Sequence, residues 1–386
     1  MMNLTLNLPN FCLMRIGLML NKIFKSSLIK ASGVYTLSSI INAGIPFILL
    51  PILTRYLSPE EYGIVAMFSI LLSIMGVFTG LSVHGAINRV YLDSDKFNFK
   101  EYVYNCLLIL FISSILVFLI VYIFKSYVSK ISGVPSFWVS CVVVVSFFQF
   151  IFLSTLSIYQ AQMNAKVYSF VQIFQSTLNA LLTIVLVVML GMGWEGRLIG
   201  QSVSVIIFGT ILLIYLYRKW ITPRINKLYI KHALKFGIPL IPHTIGGMII
   251  MATDRFMINN MLGLKEAGLY TAGMQIGMII GILTDSFNKA WAPWLFIKLN
   301  ENRREIKLKI VKFTYGYFIC MLVLAIILGN LASFIVKIML GKDFYTSKDV
   351  ILWIALGYAF NGMYYMVVNY IFYAYKTYIL AWITFF

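Results

Sequence analysis

Ten unbroken apolar runs recur between residues 33 and 372. Crossing about 30 Å of hydrocarbon as a helix takes roughly 20 apolar residues. The runs cover about 33–55, 63–88, 103–124, 137–158, 168–190, 198–217, 236–258, 267–288, 311–335 and 350–372, and an eleventh opens near Tyr378. Strands of a membrane barrel alternate over only ~10 residues, so runs of this kind exclude a barrel. They specify an all-α polytopic membrane protein, because only helices satisfy their own backbone inside lipid. With 61% hydrophobic and 11% charged residues, the chain is far from a soluble globule, in which about a quarter of residues are charged.

The runs are organised as a repeat. Leu57-Ser58-Pro59-Glu60-Glu61-Tyr62-Gly63-Ile64 has the pattern of Leu262-Gly263-Leu264-Lys265-Glu266-Ala267-Gly268-Leu269, about 205 residues later. Each copy is a short polar break between two apolar runs and reads as a membrane hairpin loop. The same offset carries the run at Val103 onto that at Val311, and approximately carries the run at Phe137 onto that at Val350. The expectation is two inverted-V six-helix bundles. Residues 26–217 form the first, 218–235 a basic cytoplasmic linker, and 236–386 a second bundle. The second reads as cut short, with 10 or 11 of twelve helices present and roughly 50 residues lacking. Residues 1–25 read as a cytoplasmic tail, in which Met19 resembles a natural start.

A net charge of +18 suggests nucleic acid in a soluble protein, but its placement here gives orientation instead. With the N-terminus inside, 22 Lys and Arg fall on the cytoplasmic side and 9 outside. That asymmetry favours a cytoplasmic N-terminus. The long basic segments Arg218 to Lys235 and Lys289 to Lys312 read as solvated loops against anionic membrane lipid. Cys12, Cys106, Cys141 and Cys320 show no disulfide framework.

Polar residues inside the spans mark candidate sites. Tyr35, Ser38, Ser39, Asn42 and Pro46 share one face of the first span, and Gln172, Gln175, Ser176, Asn179 and Thr183 share one face of the fifth. Such stripes must face protein or a wet cavity rather than lipid. Three amides on one face favour a hydrophilic lumen over interhelical packing, while for Asn42 both readings stay open. His243 and Asp254 lie on one face of the seventh span, about 16 Å apart along its axis. Ser69, Ser73, Gly76 and Gly80 lead to His84, and Gly273, Gly277 and Gly281 lead to Asp285. Small residues at steps of three and four read as packing faces. Near them, His84, Arg89 and Asp285 could meet a headgroup or a proton. Trp291 and Trp294 read as an interfacial belt.

No GxxxxGK[ST] loop, HExxH, paired CxxC or GxSxG elbow occurs, so neither ATP hydrolysis nor a catalytic or metal centre is expected. The expectation is a transporter without cofactor rather than an enzyme. Repeat-built membrane proteins commonly hold a substrate between their repeats.

Lys30-Ala31-Ser32-Gly33-Val34-Tyr35, the loop from Leu53 to Gly63, and the stretch from Asp254 to Tyr270 resemble the polysaccharide-export flippases. These belong to the multidrug/oligosaccharidyl-lipid/polysaccharide exporter superfamily. The resemblance implies flipping of an undecaprenyl-diphosphate-linked oligosaccharide, an O-antigen unit for lipopolysaccharide biosynthesis, from the cytoplasmic to the periplasmic leaflet. A polysaccharide polymerase and a chain-length regulator would act beside it. On that reading Asn42, Gln172, Gln175 and Asn179 are candidates for sugar hydroxyls and Arg89 and Arg255 for the diphosphate. His243, Asp254 and Asp285 are candidates for coupling to an ion gradient. A drug or cation exporter of the same superfamily, which should place more acid inside its bundles, is the first alternative. A membrane polymerase or ligase is the second.

Overall fold

The computed structural model describes residues 27–92, 97–162, 164–301 and 303–373. Those residues form twelve α-helices. They are α1 (Ser27–Tyr56), α2 (Pro59–Phe78), α3 (His84–Leu92), α4 (Phe99–Ser132), α5 (Ser136–Ala161) and α6 (Ala165–Ile184), which a π-helical turn Val185–Met189 continues. Then follow α7 (Gly193–Trp220), α8 (Lys227–Gly237), α9 (Leu240–Leu262), α10 (Leu264–Asn300), α11 (Arg304–Met339) and, after a 3₁₀ turn Lys342–Ser347, α12 (Lys348–Tyr373). The expected tail 1–25 and the eleventh run lie outside the described residues.

Among the described residues, eight helices are long and apolar enough to span a membrane. A ninth is added if the bent pair Lys227–Ile249 and Ala252–Leu262 is one span, and Ile40–Tyr56 is a shorter apolar helix. Large apolar side chains point outward along them, as with Phe111, Leu119 and Ile123 of α4, each more than half exposed. Such a belt is stable only against lipid.

Several helix starts follow from local chemistry. Ser58 and Glu61 form a reciprocal capping box: the Ser58 N–H donates to Glu61 Oε2 at 2.8 Å and the Glu61 N–H to Ser58 Oγ at 3.2 Å. Pro59 takes the first helical position, where its missing N–H costs nothing. Asn98 caps α4 and Asn164 caps α6.

The described chain divides into two compact units. The first holds α1 up to Leu49 and residues 67–254. Its core gathers Val83, Ile87, Tyr102, Cys106, Phe150 and Leu216. The second holds residues 50–66 and the described residues from 255 to 373. Its core gathers Ile280, Trp291, Tyr317, Ala325, Ala355 and Met366. The boundary therefore differs from sequence order, since the end of α1 and the start of α2 cluster with the later helices.

Inside the second unit the two copies of the repeated motif meet. A Cβ on Gly63 would collide with the Leu264 carbonyl, and one on Gly268 with the Pro59 carbonyl. Positions 59 and 264, like 63 and 268, are equivalent in the repeat, so the contact is reciprocal. Small residues are what permit two helix starts to cross this closely. Tyr62 Oη donating to Gln275 Oε1 at 3.0 Å fastens the crossing, while the Gly341 N–H donating to Thr54 Oγ1 at 3.2 Å ties the end of α1 to the turn after α11.

Three expectations are corrected. The segment Lys289 to Lys312 is not a loop: α10 runs on to Asn300 and α11 begins at Arg304. At 1.5 Å per residue, a 37-residue α10 is ~55 Å long and outruns the hydrocarbon. The linker 218–235 contains most of a helix, α8, after a short extended stretch. Trp291 does not stand in a belt: it is buried, stacked on Phe313 at 5.0 Å, while Trp294 remains 43% exposed.

Candidate functional site

The second apolar run, 63–88, is broken. α2 ends at Phe78, and Gly80, Leu81 and Ser82 all take positive φ, at 80°, 49° and 57°. Left-handed backbone is costly for leucine and serine and persists only where the surroundings enforce it. Here they do. The Gly80 N–H donates to Ser113 Oγ at 2.9 Å, and the Phe150 ring fills the space a side chain at position 80 would need. The Leu81 carbonyl is packed against Gly237 of α8 so closely that a Cβ there would overlap it.

This turn borders a cavity of about 510 Å³ inside the first unit. Ser73, Ser82, His84, Gln149, Gln201 and Thr244 give it a polar lining, and Leu72, Val77, Leu153, Leu240 and Met248 an apolar one. The His84 ring stands edge-on to Phe150 at 5.7 Å between centroids, which fixes its plane. Among the described residues that line it there is no carboxylate, lysine or arginine. Neutral amides, hydroxyls and an imidazole can donate to and accept from a polyhydroxylated ligand without imposing a charge requirement.

Small-residue faces behave differently in the two copies. In α10, Gly273, Gly277 and Gly281 press against Val350, Ile354 and Tyr358 of α12, as a packing face should. In α2, a side chain added at Gly76 would meet nothing within 4 Å, and Ser73 and Gly76 line the cavity. The packing expectation therefore fails for that part of α2.

The stripe on α6 is tied to its neighbours. Ser38 Oγ approaches Gln172 Oε1 at 3.4 Å, and Gln175 Nε2 donates to Ser204 Oγ at 3.3 Å. Arg197 Nη1 donates to Asn179 Oδ1 at 2.7 Å and to Thr183 Oγ1 at 2.9 Å. Asn42 donates to the Ser38 carbonyl at 2.8 Å, while its Oδ1 is buried and accepts from no described residue. Asn42 and Gln172 thus meet at Ser38, but none of these four amide residues lines the cavity. Arg89 is an exposed residue of α3. Asp254 closes the first unit and Arg255 opens the second. Asp285 is half exposed and pairs with Lys289 one turn on, at 2.7 Å. His243 lies on α9, and its side chain is outside the described ones. The sequence does not single out Gln149 and Gln201, because neither belongs to a stripe of amides like that of α6.

Residues 28–297 match the family described as polysaccharide biosynthesis protein. The chain belongs to that family. An uncharacterized membrane protein of Haemophilus influenzae is 29% identical over 376 residues, covering 91% of this chain and 85% of that one. Among solved structures, the lipid II flippase MurJ in an inward closed conformation matches with TM-score 0.66 at 14% identity, over 88% of this chain and 75% of its own. An inward-facing multidrug resistance MATE transporter of the MOP superfamily matches with TM-score 0.60 at 16% identity, over 89% and 85%. At such identities these two structures establish a shared fold. This member of the polysaccharide biosynthesis protein family is therefore a multi-pass membrane protein that shares the fold of these two structures.

Proposed function

We propose that the protein flips an undecaprenyl-diphosphate-linked oligosaccharide, an O-antigen repeat unit, from the cytoplasmic to the periplasmic leaflet of the inner membrane. The observation that carries this reading is the cavity beside the broken α2–α3 helix, whose described lining mixes amides, hydroxyls and an imidazole with a larger apolar surface, in a chain of the polysaccharide biosynthesis protein family. Broken helices with irregular backbone are tolerated at membrane depth where they line such a cavity. A sugar offers hydroxyls that Gln149, Gln201, His84 and Thr244 can match, and its polyprenyl tail can stay in the bilayer. Asn42, Gln172, Gln175 and Asn179 offer a separate set of hydroxyl-binding amides outside that cavity, and Arg89 and Arg255 meet the diphosphate. Transport proceeds by alternating access without covalent change to the substrate. His243, Asp254 and Asp285 couple it to an ion gradient. A cytoplasmic N-terminus agrees with the charge asymmetry, and a polymerase and a chain-length regulator take up the product.

The test is an in-frame deletion in the native host, with the leaflet of accumulated lipid-linked oligosaccharide determined by accessibility to an external glycosidase. Single units trapped inside, released when the 386-residue chain is restored, are expected. Single units that reach the outside but stay unpolymerised would assign a polymerase or ligase instead. Unchanged oligosaccharide with lost resistance to cationic drugs would assign an exporter of cations.

A further inference from the structure

α8 carries a groove that the transport reading leaves unused. Lys227, Lys231 and Lys235 fall at successive steps of four, and Ile230, Leu234 and Ile238 form a second row beside them. Together these six residues line an open groove of about 510 Å³ whose surface is mostly apolar, with the lysines exposed along it. Among the described residues, no acidic one is in its lining.

The opposite face of α8 is locked to the first unit. Ala233 and Gly237 are buried, Tyr229 Oη accepts from the Asn98 N–H at 3.1 Å, and His232 Nδ1 lies 2.9 Å from Tyr102 Oη. The lysine face therefore has a fixed orientation rather than the freedom of a loop. A row of three ammonium groups covering ~12 Å of helix, with aliphatic side chains along it, matches an amphiphile whose head is anionic and whose tail is hydrocarbon.

We infer that the α8 groove is a binding site for one anionic membrane phospholipid, its phosphate on the Lys227–Lys231–Lys235 row and its acyl chains along Ile230, Leu234 and Ile238. Charge complementarity selects the headgroup, and the fixed helix distinguishes a bound lipid from a diffuse attraction of loops to the leaflet. The site has a route to the cavity. Gly237, at the end of the same helix, packs on the carbonyl of Leu81 in the left-handed turn, and Phe236 packs against Gly85. A lipid held on α8 would brace the turn that lines the cavity.

The test is native mass spectrometry of the full chain in detergent, titrated separately with phosphatidylglycerol and with zwitterionic phosphatidylethanolamine. One phosphatidylglycerol per chain should be retained, and the variant K227Q/K231Q/K235Q should hold it about tenfold less tightly or worse. The variant K227R/K231R/K235R should retain it, because the charge row is kept. Equal retention of the two lipids, or a glutamine variant that binds like the parent, would overturn the site. So would displacement of the bound phosphatidylglycerol by equimolar undecaprenyl phosphate, which would give the groove to a polyprenyl substrate. All three lysines are exposed, so the variants should fold, and a monodisperse profile with unchanged circular dichroism confirms that they do.

Discussion

The crossing of the two motif copies can be tested by adding one methyl group. In Gly268→Ala the new Cβ falls on the Pro59 carbonyl and within 2.9 Å of the Gly63 nitrogen, and in Gly63→Ala it falls on the Leu264 carbonyl. Every obstructing atom is backbone, so no side chain can swing aside. Overpacking of this kind costs ~1–3 kcal/mol, and the rigidity of both partners places these two sites near the upper end. For a unit of this size the apparent Tm should fall by roughly 5–10 °C. Gly316→Ala on α11 is the control, since nothing lies within 4 Å of its added Cβ. Removing a helical glycine there should be neutral or stabilising by up to about 1 kcal/mol. Because the two methyls press on one shared crossing, the double variant should lose about 1 kcal/mol less than the sum. The assay is a thermal melt of detergent-solubilised protein at a fixed scan rate. If Gly268→Ala melts with Gly316→Ala, the glycines are not spacers at a crossing and the reasoning fails.

Four further outcomes are expected. Asn179→Ala should destabilise the first unit by ~1–2 kcal/mol in the same melt, because the Arg197 guanidinium loses its 2.7 Å acceptor. Asp285→Asn should leave the melt nearly unchanged, since an exposed i,i+4 pair contributes little, so any loss of export in a leaflet assay would report coupling rather than folding. Hydrogen bonding from Lys298 holds the Glu301 carboxyl below its usual range. Its pairing therefore stabilises above the ordinary carboxylate pKa and is lost as pH falls through the lowered value, so melts of the parent and Glu301→Gln should converge only in that acid window. The double variant Q149L/Q201L should fold and insert, judged by monodispersity, yet lower oligosaccharide export about tenfold or more by removing two amides from the cavity.

The spans were legible because a helix that must cross lipid needs an apolar run of fixed minimum length, and nothing else in a sequence looks like one. The motif copies were legible for the same kind of reason, since the glycine and the polar break are required by the crossing they form. The break after Phe78 was not. Leu81 and Ser82 are ordinary helix residues by local preference, and they are left-handed only because Ser113, Phe150 and Gly237 hold Gly80 and Leu81 from other parts of the first unit. The cavity was hidden with it. The α6 amides announced themselves by sharing a stripe, whereas Gln149 on α5 and Gln201 on α7 converge only through tertiary packing. The lysines of α8 read as a charged loop because their spacing of four is diluted by the isoleucines and leucines between them.

The location of the cavity follows from where the two copies stop being alike. α2 and α10 start at equivalent positions, Pro59 and Leu264, and so do α4 and α11, at Phe99 and Arg304. The copies part at Gly80, whose counterpart by the repeat offset is Asp285. At Gly80 the helix breaks into a left-handed turn beside a cavity. At Asp285 it runs straight on, with the Asp285–Lys289 pair bridging the turn of helix that corresponds to the break. The glycine faces diverge in step, pressed against α12 in one copy and open at Gly76 to a cavity in the other. The reciprocal contact at Gly63 and Gly268 serves the close crossing of the two helix starts. An irregular backbone costs stability that a continuous helix would not, and α10 runs on as a continuous helix through Asp285, the position that the sequence offset pairs with Gly80.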